Sequence, residues 1–464
     1  MNESHKIKHL SLRAGFGLSP AEWEKMRKLN LKEATERLFQ KKTATLLTVP
    51  QMDIPDDDEI QKATKEKRDE LQKKARQLSA KVNGEWLEKM ISADSSPLLE
   101  KMALFWHGHF ACEPKLFHLA ANYANTLRKH ALGNFKELLL AIAKDSAMII
   151  YLNNQQNRKD RPNENFAREL MELFTLGRGN YTENDIKEAA RAFTGWFTDK
   201  KTGEFEFRAK AHDEGTKTFF GKSGNFNGAD IVNMILEKKE TAVFIAKKIY
   251  RFFVSEIKPD EKNISALADV FYKSNYDIEK MMRFLFESEW FYKDEHAAAK
   301  IKSPVELIVG MAKVLNLKVG NEEAWLFPQR ALGQILFKPP NVAGWPGGKT
   351  WIDNSTLLLR LNFAGMVFDK TELGFRLKDA PEAANRGAAL KKLDLTADLT
   401  QLNKVFSKIS EDKMGLELAN YLIPISVKLD DAAFLKYTAA AKTSEEKLRA
   451  WTLIVMSLPE YQLC

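Results

Sequence analysis

The sequence predicts a mainly α protein, a multi-helix globular core with a small β-ribbon around residues 196–222. Three observations carry this. Apolar residues recur at helical spacing through most of the chain. N-cap and Pro-at-N1 signals open those stretches. Period-two alternation is confined to the ribbon segment, and a Pro/Gly/Trp-rich loop at 338–352 is neither helix nor strand.

The elements follow in order. Ser19-Pro20-Ala21-Glu22 is an N-cap with Pro at the first helical position, after the loop Arg13-Ala-Gly-Phe-Gly17. Residues 43–57, Thr-rich and then acidic, form a linker, and residues 43–92 together read as that linker plus a charged helical arm. Ser96-Pro97 starts a helix whose stripe holds Leu98, Leu99, Met102, Phe105, Trp106 and His109. Helices follow at about 116–131 and 134–144. The segment from Asp160 to Gly177 comes next, and Thr182-Glu-Asn-Asp185 opens another helix like a capping box. Glu204-Phe-Glu-Phe-Arg208 alternates between turns at 198–203 and 212–215. Residues 229–254, 278–291 and 304–315 return to helical spacing, and a last helix group closes the chain. A helical core over 1–370 and a C-terminal helical subdomain over 371–464, packed on it, are expected.

Composition narrows the function classes. At 464 residues, with 44% hydrophobic and 29% charged residues, the chain is that of an ordinary globular protein. Its net charge of +8 is diluted over that length, without an Arg-rich tail or a basic patch interleaved with aromatics, so nucleic acid is not an expected partner. Two cysteines, Cys112 and Cys464, exclude a disulfide framework and a Cys-based zinc site. No window approaches the length of a membrane span. The N-terminus has no signal-peptide core, so the chain as written reads as cytoplasmic; export with a partner, or removal of a leader, would place it in the periplasm or envelope.

The most distinctive stretch is Asp160-Arg-Pro-Asn-Glu-Asn-Phe-Ala-Arg-Glu-Leu-Met-Glu-Leu-Phe-Thr-Leu-Gly177. At about 100° per residue, Phe166, Ala167, Leu170, Met171, Leu173 and Phe174 share one arc, and Glu164, Asn165, Arg168, Glu169 and Glu172 the other. Glu169 and Glu172, one turn apart, raise each other's proton affinity, which suits acid/base chemistry or a divalent metal ion. Asn165 and Arg168 would position substrate or stabilise charge. A buried Arg–Glu network orienting helices fits the same pattern. His107 and His109, in Trp106-His-Gly-His-Phe110, point apart on a helix unless it breaks at Gly108. With His212 and Asp213 on the ribbon they are the candidate metal ligands; a core hydrogen-bonded His and an Asx-type turn are the plainer readings. Trp345 and Trp351 are candidates for stacking on a sugar or another planar face, or for plugging the core.

These motifs, in this order, resemble the bacterial family known only as domain of unknown function 1800. The matching residues are His9–Gly17, Phe105–Phe110, Asn163–Gly177, Tyr181–Asp185, Ala190–Trp196, His212-Asp213 with Lys217 and Phe220-Gly221, Pro339–Trp345 with Trp351, and Ser457–Gln462. The resemblance spans essentially the whole chain. It implies no established activity or catalytic residue. Many members resemble exported proteins, and their genes often neighbour a sulfatase-like family, which implies a sulfatase-like partner. Two functions are therefore expected in competition: a hydrolase with a carboxylate-rich, metal-assisted site, and a non-catalytic helical scaffold or partner subunit of a sulfatase-like protein.

Overall fold

The computed structural model describes residues 1–40, 45–52, 57–321, 323–369, 394–429 and 431–464. Parts of the expected linker, and the expected domain boundary at 370/371, lie outside the described residues. The chain is mainly helical. The expected ribbon is two separate hairpins, Trp196–Thr198 with Phe205–Phe207 and Lys217–Phe219 with Lys222–Gly224. Lys318–Val319 pairs with Leu395–Thr396 as a third short ladder.

The caps set the helix starts. Ser19 and Glu22 form the reciprocal box before Pro20–Met26, and Thr182 and Asp185 do so before Glu183–Ala192. The stretch 229–254 is broken at Lys238 into Gly228–Glu237 and Lys239–Phe253. The charged arm is a short helix, Asp57–Lys62, followed by a long one, Lys65–Ile91, and the long one is not solvated throughout. Its first half is exposed, but from Ala80 its apolar residues become frequent, and Val82, Trp86, Leu87 and Met90 are buried. The Trp86 indole N–H donates to Glu100 Oε2 (3.1 Å), and Glu100 is itself buried in a pair with Arg128 (2.7 Å). Charges so deep persist only when paired.

The helix Pro97–His109 runs through the centre, almost wholly buried, starting from the Ser96 N-cap. Trp106 packs on Phe105, Phe110 and Phe135 while its indole N–H reaches the Ala131 carbonyl (3.0 Å). The C-terminal helices join the same core. Tyr421 donates to the Leu18 carbonyl (2.6 Å), Lys8 to the Asn420 carbonyl (2.8 Å), and Leu463 bridges to Ile301. Arg13, from the N-terminal loop motif, is fully buried. It donates to the Phe253 and Val254 carbonyls (3.2 and 2.8 Å), capping the end of Lys239–Phe253, and to the His296 and Cys464 carbonyls. Among the described residues no helix is long and apolar enough to cross a membrane.

Candidate functional site

The polar arc lies at the protein surface. Asn165–Glu169 is α-helical, but Leu170–Thr175 is a single π-helical stretch. The Leu176 and Gly177 N–H groups both donate back to the Met171 carbonyl, and Thr175 Oγ1 donates to Leu170 O (2.6 Å). A wheel at a constant angle therefore holds only up to Leu170. Arg168 makes a bidentate pair with Glu183 (2.9 Å to each oxygen) and a third bond to Glu164 (3.1 Å). Glu172 accepts from Arg178 (2.6 Å) and the Tyr181 hydroxyl (3.1 Å). Arg178 holds the Glu172 carboxyl below its ordinary range. Glu169, half-buried, is pushed upward by burial and then by Glu172. Asn165 is exposed. This is the ion-pair arrangement weighed against catalysis in the sequence, exposed rather than buried.

The four candidate ligands are engaged elsewhere. The Phe337 N–H donates to His107 Nε2 (3.1 Å), so the neutral ring carries its proton on Nδ1. His109 shows the opposite tautomer, because its Nε2 faces the Phe174 carbonyl (3.0 Å) and must donate to it. His212 Nδ1 donates to the Thr194 carbonyl (2.8 Å). Asp213 is paired with Arg191 (2.7 Å), which lowers its proton affinity. Among the described residues no group of three or more His, Cys, Asp and Glu side chains is placed to hold a metal ion. The donor set does not fit a divalent cation, and no step is derived through one.

What the structure does gather is a cleft of about 230 Å³ where the helix Pro97–His109 ends. The loop crossing there depends on Gly344. Its φ is +79°, and a Cβ on it would stand 2.3 Å from the Gly108 carbonyl oxygen. That close approach lays the Trp345 ring parallel to His107, 5.3 Å between centroids. Trp345 and Trp351 both line the cleft, with Phe105, His109 and Phe252. Trp351 is buried and Trp345 half-buried, so the loop both walls the cleft and fills the space behind it.

The charged lining comes from the end of Lys239–Phe253 and the segment before Pro304–Leu315. Lys248 Nζ donates to the Leu173 carbonyl (3.0 Å) and lies over the Phe244 ring. Burial, with Arg251 nearby, brings its pKa down to about 8. Arg251 donates to the Pro346 carbonyl (2.8 Å). Glu256 receives the Gly348 N–H (3.1 Å) and the Ile301 N–H (3.4 Å), which pins the loop; burial raises its proton affinity against the pull of Lys300. Lys300 also lines the cleft and is paired beneath it with Glu306 (2.7 Å), which Lys101 contacts as well. Burial drives His109 well below its ordinary pKa, and Lys248 adds to that. His109 is therefore neutral near pH 7, with a buried Nδ1 acceptor that has no partner among the described residues.

Of the sequence candidates, His109, Trp345 and Trp351 line this cleft, and His107 stacks behind Trp345. Asn165, Arg168, Glu169, Glu172, His212 and Asp213 are not among its lining residues. Sequence reasoning missed Lys248, Arg251, Glu256 and Lys300. The available signal was Lys248-Ile-Tyr-Arg251, two cations three apart on an amphipathic helix.

The family model described as a protein of unknown function, DUF1800, matches residues 9–463, nearly the whole chain. No curated protein and no solved structure matches the chain.

Proposed function

The chain belongs to the DUF1800 family, and we propose that it is a hydrolase whose working site is the cleft beside His109. One observation carries this. A neutral, buried imidazole with a free acceptor nitrogen shares an aromatic-walled cleft with two cations of the helix Lys239–Phe253. Perturbed groups gathered in one largely apolar concavity mark a working site. In this proposal water is the nucleophile and His109 Nδ1 takes its proton as the new bond to oxygen forms. Lys248 and Arg251 hold the negative charge that develops, and His109 passes the proton it took from water on to the leaving group, while Glu256 holds the loop in place. The carboxylates Glu169 and Glu172 take no part.

The test is a panel of 4-nitrophenyl acetate, phosphate and β-glucoside. Turnover of at least one is expected, and His109→Gln, which keeps the donor to Phe174 and removes the base, should lower kcat by roughly 10²–10⁴ with an unchanged melting temperature. Equal turnover in the variant, or none across the panel, overturns the proposal. The alternative, a helical scaffold or subunit for a sulfatase-like protein, has in its favour that Arg168 and Glu172 are satisfied within the chain. A self-satisfied arc selects no partner, so it ranks second. Native co-purification with a stoichiometric partner protein, unaffected by His109→Gln, would reverse the order.

A further inference from the structure

The cleft has an unbalanced charge. Lys248 and Arg251 are bonded to carbonyls, and neither is paired with a carboxylate among the described residues. The lining of the cleft holds three cations, Lys248, Arg251 and Lys300, against one carboxylate, Glu256, and Lys300 is paired beneath the wall with Glu306. Cations held away from water in an apolar setting are retained when an anion completes them. Arg251 is also exposed at the mouth, where a guanidinium grips an oxyanion through two parallel N–H groups. In the same lining, next to the Pro346 carbonyl that Arg251 holds, half-buried Trp345 offers an aromatic ring held by its stack on His107.

Resting on the reading of this cleft as the working site, we infer that its ligand is a ring-bearing oxyanion. A sulfate, phosphate or carboxylate group lies between Lys248 and Arg251, and the attached ring lies against Trp345. Sulfate, phosphate and carboxylate share the chemistry that these two cations recognise, and the ring separates such a ligand from free inorganic anions.

Isothermal titration on the full chain tests this with ring-matched probes: benzenesulfonate, phenylphosphonate and phenylacetate against neutral benzyl alcohol, and inorganic phosphate without a ring. At least one charged ring probe is expected to bind tenfold or more tightly than benzyl alcohol, and than inorganic phosphate. Its rank among the three identifies the oxyanion. Arg251→Gln, at an exposed position, should remove that preference and leave benzyl alcohol unchanged, and Trp345→Phe should weaken all ring probes. Equal affinity for benzyl alcohol and the charged probes, or no effect of Arg251→Gln, overturns the oxyanion while leaving the cleft reading standing. Inorganic phosphate binding as tightly as the ring probes overturns the ring. Binding of none of the probes overturns this inference; whether the cleft reading falls with it is decided separately by turnover of the chromogenic panel.

Discussion

Lys248 is the residue through which pH acts on the cleft. Burial and Arg251 bring its pKa down to about 8, so it is charged below that value and neutral above it. Of the groups facing it, His109 is driven neutral by burial, Lys300 is held charged by Glu306 against its own burial, and burial raises the proton affinity of Glu256. Benzenesulfonate, an anion at every pH used, should therefore lose affinity severalfold between pH 7 and 9, and Lys248→Met should flatten that profile. A profile unchanged by the variant would contradict the role given to Lys248. Arg168 is the contrasting case. Its bidentate grip on Glu183 is half-exposed and screened, so Arg168→Ala should cost no more than about 1 kcal/mol in thermal denaturation and leave turnover intact. That Arg168 would pair was legible in the sequence. Its main partner was not, because Glu183 arrives only when the chain turns back after Gly177.

At the scale of elements, the cleft is built where regular structure stops. The helix Pro97–His109 ends under Gly344, and Lys239–Phe253 ends on the buried Arg13. The π stretch Leu170–Thr175 carries Phe174, whose carbonyl sets the His109 tautomer. Caps and apolar periodicity made the helices readable, since both are local. The π stretch was not readable: it depends on a side-chain bond from Thr175 to Leu170 and on packing around it, and a fixed wheel cannot register an inserted residue. Gly344 is the most exacting position of the loop. Gly344→Ala combines a left-handed φ with a Cβ 2.3 Å from a backbone oxygen. It should destabilise the protein by about 1–3 kcal/mol and abolish binding of ring probes, because Trp345 loses its seat on His107. Calorimetric melting and titration of the same sample check both. Unchanged binding would mean that the loop does not hold Trp345 in the way described.

At the scale of the molecule, Glu306 joins the cleft to the core. It is the third residue of the Ser303 capping box, a local arrangement like those at Ser19 and Thr182. Its pairing with Lys101 was not legible in the sequence, because Lys101 lies 205 residues away. Burial pushes the Glu306 carboxyl up, but Lys101 and Lys300 together outweigh it and hold the group well below the ordinary carboxylate range. The folded value lies below the unfolded one, so the stabilisation is complete above the unfolded value, about pH 4.3, and is lost as pH falls below it. The melting temperature should therefore drop on acidification below about pH 4, and Glu306→Gln should reduce that drop. At neutral pH, Glu306→Gln leaves two buried ammonium groups facing an amide, which should cost roughly 3–5 kcal/mol. The same substitution should reach the cleft. Lys300 lines its wall, and without the carboxylate beneath it the local field becomes more positive. In whatever fraction remains folded, benzenesulfonate should bind more tightly than in the native chain while benzyl alcohol is unaffected. A variant that melts lower yet shows no gain for the anion would separate the buried charge network from the cleft and confine Glu306 to holding the core together.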